Sequence, residues 1–497
     1  MENNNERKHL NTAYFLYPDA FALFNVEEEM KKSKKRNSFS GSIGFVLAAA
    51  GSAVGLGNIW RFPYLAAKDG GGLFLVMYLI LAVTFGFTLL TTEVAIGRKT
   101  KQSPLTAYKK LQEKWGFLGV LACLVPIIIM PYYCVIGGWV IKYFLVYLTG
   151  NGAEAAADTY FSSFITKEVE PLILMAIFLL VVSFIIYRGV NRGIESSSKI
   201  LMPVLLLLVI IIAIFSLTIH YTDADGATRT GLQGLRIYLV PDLHGITVKK
   251  FFSVLLDAMG QLFFSLSVAM GIMIAYGSYV KDDADLRTSI NQIEIFDTGV
   301  AFLAGVMILP AVYCFMGREG MGDYGASLMF VSLPKVFASM GKIGNVIGCL
   351  FFAMVLFAAI TSAVSVMEAV VSSLMDKFHF ARKKATMIET GIALAAGCVV
   401  CFGYNIFYFN IKLPTGSFAQ ILDVMDYISN NCLMPLVAIG TCILIGWIVK
   451  PKLVIDEVEK TGGTFGRKHL YTVMIRYIAP VLLIILFLKS IGILTVI

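Results

Sequence analysis

The chain has 497 residues, 57% of them hydrophobic and only 15% charged, with a mean hydropathy of +0.76. Soluble domains average about 25% charged residues, so this composition excludes a soluble globular protein and leaves little chain for a domain outside a bilayer. The net charge of +8 invites a nucleic-acid reading. However, the basic residues sit in one N-terminal run and in alternate loops, the distribution of cytoplasmic segments in a polytopic membrane protein.

Residues 1–38 read as a cytoplasmic tail. They carry an aromatic patch (Tyr14, Phe15, Tyr17, Phe21, Phe24) and a basic run (Lys31, Lys32, Lys34, Lys35, Arg36), with no apolar leader before the first span. Met30 opens the basic run and is an alternative start. About eleven apolar runs long enough to cross a bilayer follow. They lie near 40–68, 73–97, 118–149, 170–187, 198–218, 250–279, 290–316, 344–376, 384–405, 416–448 and 471–495. The basic segments 98–114, 188–199, 281–287, 377–384 and 450–468 then fall on the cytoplasmic side, and an odd number of crossings puts the C-terminus outside.

The first span, Ser40 to Lys68, holds Gly51, Gly55 and Gly57 within seven residues. Each glycine costs a helix interior roughly 1 kcal/mol relative to alanine, so a break is expected. Freed backbone at membrane depth is tolerated only where protein or a hydrated cavity satisfies it. The two half-helix ends would attract anions and cations. From this stretch alone, a glycine face for close helix packing stays open.

In the fifth span Gly193 is followed by Pro203, which predicts a hinge at the cytoplasmic end; an ordinary helix start fits as well. The sixth span, Lys250 to Tyr279, is weakened at Phe264-Ser-Leu-Ser267, between Gly260 and Gly271. Two interrupted helices, each heading five spans, predict an all-α fold with a 5+5 inverted repeat and one extra helix. The repeats are 39–218 and 250–448, joined by an extracellular loop 219–249. A cytoplasmic loop 449–470 precedes the last helix, 471–497, and residues 317–342 read as an outer hairpin lid.

The eight cysteines all fall within apolar runs, so no disulfide framework is implied. Histidines without metal-ligand spacing, and nucleophiles without an evident base, argue against an enzyme.

Four separated motifs carry a resemblance. Gly51-Ser-Ala-Val-Gly-Leu-Gly-Asn-Ile-Trp-Arg-Phe-Pro-Tyr64 and Gly70-Gly-Gly72 in the first span and just after it, Gln261-Leu-Phe-Phe-Ser-Leu-Ser267 in the sixth, and Ala358-Ala-Ile-Thr-Ser362 in the eighth resemble the neurotransmitter:sodium symporter family. The eleven-helix length is similar to its bacterial amino-acid transporters. The resemblance implies a sodium-coupled symporter of the bacterial inner membrane, monomeric, with no organic cofactor and no nucleic-acid partner.

It also implies two sodium sites. One would use carbonyls of Gly51, Val54 and Ala358 with the hydroxyls of Thr361 and Ser362. The other would use the Ala53 carbonyl, Asn58, Ser265, Asp297 and the solute's carboxylate. Asp297 departs from the asparagine of some members, and a fixed carboxylate there replaces the charge that chloride-dependent relatives take from a bound anion. Tyr78, Gln261 and Ser265 match chloride-site positions, whereas Ala301 lacks the hydroxyl found there. Transport without a chloride requirement is therefore expected.

The solute would be a neutral L-amino acid, with large aliphatic or aromatic side chains favoured. Its carboxylate would meet the Leu56 and Gly57 amides and the Tyr133 hydroxyl, and its ammonium the carbonyls near Phe264 and Ser267. Ser52, Ile129, Phe264, Met270, Ser362 and Val366 would line the side-chain pocket. Gly55 stands where amine-transporting relatives carry an aspartate, which speaks against a monoamine. The outer gate would be Arg61 with Asp426, closed beneath by Phe264 and Tyr133. The inner gate would be Arg36 with Asp376, near Tyr279. Buried Glu93 and Glu368 would satisfy broken-helix amides and neighbouring helices. The alternatives are a same-fold symporter for an amine or osmolyte, or a transporter-like amino-acid sensor.

Overall fold

Apolar runs with no water to satisfy their backbone fold as helices, and helices dominate the computed structural model of the chain. It describes residues 38–222, 226, 228–243, 246–321, 325–414 and 416–494. The tail of residues 1–37, with its aromatic patch and the expected gate residue Arg36, lies outside the described residues. From Phe39 the chain forms one unit.

In chain order the principal helices are α1 (Ser42–Ala53), α2 (Gly57–Lys68), α3 (Gly72–Thr100), α4 (Pro104–Leu111), α5 (Glu113–Leu148), α6 (Glu170–Tyr187), α7 (Val190–Leu217) and α8 (Gly231–Leu239). They continue as α9 (Val248–Ser265), α10 (Ile272–Ser278), α11 (Leu286–Arg318), α12 (Leu328–Ser339), α13 (Lys342–Phe378), α14 (Arg382–Phe402), α15 (Ile421–Ile448), α16 (Lys452–Glu459) and α17 (Lys468–Ser490). Nine of the described helices are long and apolar enough to cross a bilayer, and α1 with α2, bent by 52°, makes a tenth candidate. The described strands form two short hairpins, His220–Thr222 with Thr228–Thr230 and Ile411–Lys412 with Phe418–Ala419.

The glycine-rich stretch breaks as expected. Val54 leaves the helix with ψ 88°, and the chain resumes at Gly57 in a wide π turn through Arg61. Pro63 follows inside α2, where it has no N–H to donate to the helix and the wide turn stands just before it. The second break runs from Leu266 to Gly271, slightly later than the sequence indicates. Phe264 and Ser265 still belong to α9 because Leu266 N–H reaches the Leu262 carbonyl and Ser267 N–H the Phe264 carbonyl, closing its last turn. Beyond them Ser267, Ala269 and Gly271 adopt positive φ of 53°, 62° and 71°, a strained choice for the serine and alanine. A deep anchor holds that strain: Ala269 N–H donates to the Glu93 carboxylate at 2.6 Å.

The hinge expected in the fifth span appears as a π turn, Val190–Glu195, after Gly189 at φ 88°, with Pro203 inside the α-helix that follows. The expected outer lid contains α12, held by Tyr143 donating to the Phe330 carbonyl at 2.7 Å and by Phe330 stacked on Phe161. All eight cysteines are free. At one end of the bundle Arg98 pairs with Glu457 of α16 at 2.8 Å, and a hydrogen bond from Lys460 helps hold the loop carboxyl of Asp282 below its ordinary range.

α3 and α10 pack backbone against backbone. A Cβ on Gly97 would lie 2.1 Å from the Ile274 carbonyl oxygen, and one on Gly277 would lie 2.4 Å from that of Val94. Neither contact can yield without moving a helix. Gly97→Ala is therefore expected to destabilise the bundle by about 1–3 kcal/mol, seen as a lowered unfolding temperature in detergent; an unchanged temperature would contradict this packing.

Candidate substrate and ion site

The two breaks face one another across a cavity of ≈ 30 Å³, bounded also by α5 and α13. Ser52, Ala53, Gly55, Leu56, Gly57 and Asn58 line it from the first break, and Phe264, Ser265, Ser267 and Met270 from the second. Ile129 and Tyr133 of α5 and Ser362 and Val366 of α13 complete the wall. The ten residues expected to meet the solute are thus brought together with Ala53, Asn58 and Ser265 of an expected cation site, and Gly55 completes the wall. Its absent side chain is the reason it fits: a Cβ there would lie 2.8 Å from Ser362 Oγ, and one on Gly57 would lie 2.8 Å from the Phe264 ring. The Tyr133 hydroxyl is buried with no hydrogen-bond partner among the described residues, a donor available to a ligand.

Behind Asn58 and Ser265 of the cavity wall sits a carboxylate. Asp297 is fully buried and accepts from Asn58 Nδ2 at 2.8 Å and Ser265 Oγ at 2.7 Å. Tyr78 Oη lies 3.5 Å from its other oxygen, Ser265 Oγ also reaches Asn58 Oδ1, and Gln261 donates to the Gly57 carbonyl at 3.1 Å. A negative charge amid hydroxyl, amide and carbonyl oxygens suits a hard monovalent cation. Ala301, one turn beyond Asp297, is buried and apolar.

The second expected cation region lies where α1 ends against α13. Ser362 Oγ lies 3.4 Å from the Gly51 carbonyl and 3.2 Å from that of Ser52. Thr361 Oγ1 lies 3.1 Å from the Ala358 carbonyl, and a Cβ on Gly51 would be 3.2 Å from Thr361. Val54, with its non-helical ψ, turns its carbonyl away from the helical direction. Ser267 bridges the two breaks, donating to the Ser52 carbonyl at 3.0 Å. Among the described residues no three His, Cys, Asp or Glu side chains cluster as metal ligands, so the two expected cation regions would rely on neutral oxygens with at most the one carboxylate of Asp297.

Phe264 lines both this cavity and a wider vestibule above it that also contains Arg61, Asp257, Asn430 and Lys489. Arg61 and Asp426 make no direct ion pair. The aspartate instead accepts from Tyr132 at 3.1 Å and from Asn430 at 2.6 Å, so the outer pair stands apart. At the other end Asp376 accepts from the Ser103 N–H at 2.6 Å, while its expected partner lies outside the described residues. Tyr279 donates to Glu368 at 2.5 Å, and Arg382 holds both oxygens of that carboxylate at 2.6 and 2.8 Å. Arg382 escaped sequence reasoning because it sits in a basic run that carries topology. Asp257, an acid inside an apolar run, was a signal passed over; it pairs with Lys68 at 2.7 Å and Lys489 at 3.3 Å.

Residues 36–163 and 159–496 match the profile of the sodium:neurotransmitter symporter family. This chain belongs to that family. The symporter is 32% identical to YhdH, an uncharacterized sodium-dependent transporter of Bacillus subtilis, over 93% of this chain and 99% of the relative. It is 26% identical to the human sodium- and chloride-dependent GABA transporter 2, over 88% of this chain and 77% of the relative. The crystal structure of MhsT in complex with L-phenylalanine matches with a TM-score of 0.79 and 33% identity, covering 92% of this chain and 100% of that one. The chain is a sodium-dependent membrane transporter and not an enzyme.

Losing one hydrogen-bonding hydroxyl typically changes affinity by about three- to tenfold. Ser362→Ala is accordingly expected to raise the sodium concentration for half-maximal transport by about that factor. An unchanged sodium requirement would remove Ser362 from a cation site.

Proposed function

We propose that the symporter takes up a neutral L-amino acid with a large aliphatic or aromatic side chain, driven by two sodium ions and without need of chloride. The observation that carries this reading is the pairing of one buried carboxylate, Asp297, with a cavity that has apolar walls and two backbone breaks. The Leu56 and Gly57 amides and the orphaned Tyr133 hydroxyl suit the solute's carboxylate. Carbonyls near Phe264 and Ser267 suit its ammonium, and Ile129, Met270 and Val366 its side chain. Gly55 offers no acid to a monoamine. The phenylalanine named with MhsT supports the aromatic preference by analogy.

Alternating access would then work by closing Phe264 and Tyr133 over the solute, drawing Arg61 toward Asp426, and later parting Arg36 from Asp376 beside Tyr279. An exposed ion pair is worth about 0–1 kcal/mol, weak enough to open in every cycle. Each sodium ion crossing about 100 mV down a tenfold gradient supplies roughly 3.7 kcal/mol, so two ions support about a 10⁵-fold solute gradient and one only a few hundredfold. The topology proposed with this cycle has eleven crossings, α9 and α10 forming one interrupted span. The N-terminus lies in the cytoplasm and the C-terminus outside, in a bacterial inner membrane. Residues 39–218 and 250–448 are the inverted repeats, and the working unit is a monomer.

Uptake by proteoliposomes, with a panel of neutral amino acids, taurine and GABA, with and without sodium and chloride, tests the reading. Sodium-dependent, chloride-independent uptake of phenylalanine or leucine is expected. Uptake of taurine or GABA alone would favour the osmolyte alternative, and sodium-dependent binding of an amino acid without uptake would favour the sensor. Asp297→Asn is expected to lower sodium affinity by at least about tenfold and to create a chloride dependence. Unchanged sodium affinity and chloride independence would remove Asp297 from its assigned role.

A further inference from the structure

The flank of the bundle carries a groove of ≈ 350 Å³ that the transport cycle does not use, between α3, the first turns of α11 and the segment leading into α17. Phe87, Ile295 and Phe465 give it apolar walls, and Arg287, Asn291 and Arg467 give it a polar end. Arg467 is built in. Its guanidinium lies 3.4 Å from the centre of the Phe87 ring, donates to the Val83 carbonyl at 3.2 Å, bonds Asn291, and pairs with Glu294 at 3.3 Å. Arg287 is different: it donates to the Thr464 carbonyl at 3.1 Å and has no ion pair among the described residues. Asp285, the nearest acid in sequence, accepts from the Thr288 N–H and hydroxyl at 3.2 and 2.6 Å and from the Arg287 backbone N–H, and it feels the Arg287 charge without forming an ion pair with it.

The depth of this polar end is informative. Arg287 lies ten residues before Asp297 on one helix, a drop of about 15 Å at 1.5 Å per residue. Asp297 sits with the broken helices, near mid-membrane, so Arg287 falls where a hydrocarbon core about 30 Å thick meets its headgroups. Apolar side chains face outward above it. Val76, Leu79, Ile80 and Val83 of α3 are 41–56% exposed, and Ile295 and Phe302 of α11 are 72% and 38% exposed. Between the last two, Gly299 has open space where a Cβ would be.

A cation at headgroup depth with two apolar ridges running from it toward the bilayer centre complements one kind of molecule. We propose that this groove binds an anionic phospholipid of the leaflet at the Arg287 end (the cytoplasmic one in our topology), its phosphate on Arg287 and the polar rim and an acyl chain between α3 and α11. Basic pockets between spanning helices commonly take such headgroups. The bound lipid would brace the flank of α11, the helix that carries Asp297.

Native mass spectrometry of the full chain in detergent, supplied with equal phosphatidylglycerol and phosphatidylcholine, reads the occupant directly. One phosphatidylglycerol should be retained preferentially. Arg287→Gln should reduce that retention by about fivefold and leave phosphatidylcholine unchanged, while Arg188→Gln, an exposed arginine elsewhere, should change neither. Ile295→Trp, which fills the groove without altering charge, should displace the lipid as well. No preference in the unaltered protein, equal effects of the two arginine variants, or equal competition by inorganic phosphate would overturn the proposal.

Discussion

A peptide group that leaves its helix inside a bilayer must find another partner, and this structure is arranged around two places where that happens. Between Val54 and Leu56, and again between Leu266 and Gly271, the regular helix is interrupted and part of its hydrogen bonding is lost. Part of the debt is settled by protein: Glu93 takes the Ala269 N–H, and Ser267 and Ser362 reach the Ser52 carbonyl. What remains, carbonyls on one side and amides on the other, faces a cavity. An unsatisfied backbone group in hydrocarbon costs several kcal/mol, so the breaks persist because they are matched to what the cavity receives.

Charge is placed with equal economy. Behind the cavity wall one carboxylate is surrounded by three side-chain hydrogen-bond donors, and among the described residues no basic side chain is paired with it. A lone buried anion is expensive, and a cation arriving there relieves that expense. In the proposed cycle solute and ion would help each other, since a cation beside Asp297 would also lower the cost of bringing a carboxylate into the same space. The proposed outer gate follows the same logic in reverse: Arg61 and Asp426 attract across a gap, with Asp426 partly satisfied by Tyr132 and Asn430, so closure would replace one set of polar partners by another.

Much of this was legible in the sequence. Glycines at 51, 55 and 57 announced a break because helix propensity is local, and the motif at 358–362 placed two successive hydroxyls in an apolar span. The second break was read slightly early, because its position depends on which turn of α9 closes and on Glu93, a residue 176 positions away. Arg382 was hidden for a related reason. Nothing local distinguishes a basic residue that marks the cytoplasmic face from one that reaches back to a buried acid such as Glu368. Arg287 and Arg467 were likewise invisible as a pair, since the groove between them exists only once α3, α11 and the start of α17 are assembled.

The account stands on the claim that the two breaks together hold cations and a zwitterion. A cryo-electron microscopy map of the symporter prepared in sodium with L-phenylalanine tests this directly. The account predicts solute density between the Val54–Leu56 and Leu266–Gly271 breaks, its carboxylate toward the Gly57 amide, with an ion within bonding distance of Asp297 and another beside Ser362. A map at comparable resolution with both breaks empty, and the solute bound elsewhere, would contradict it.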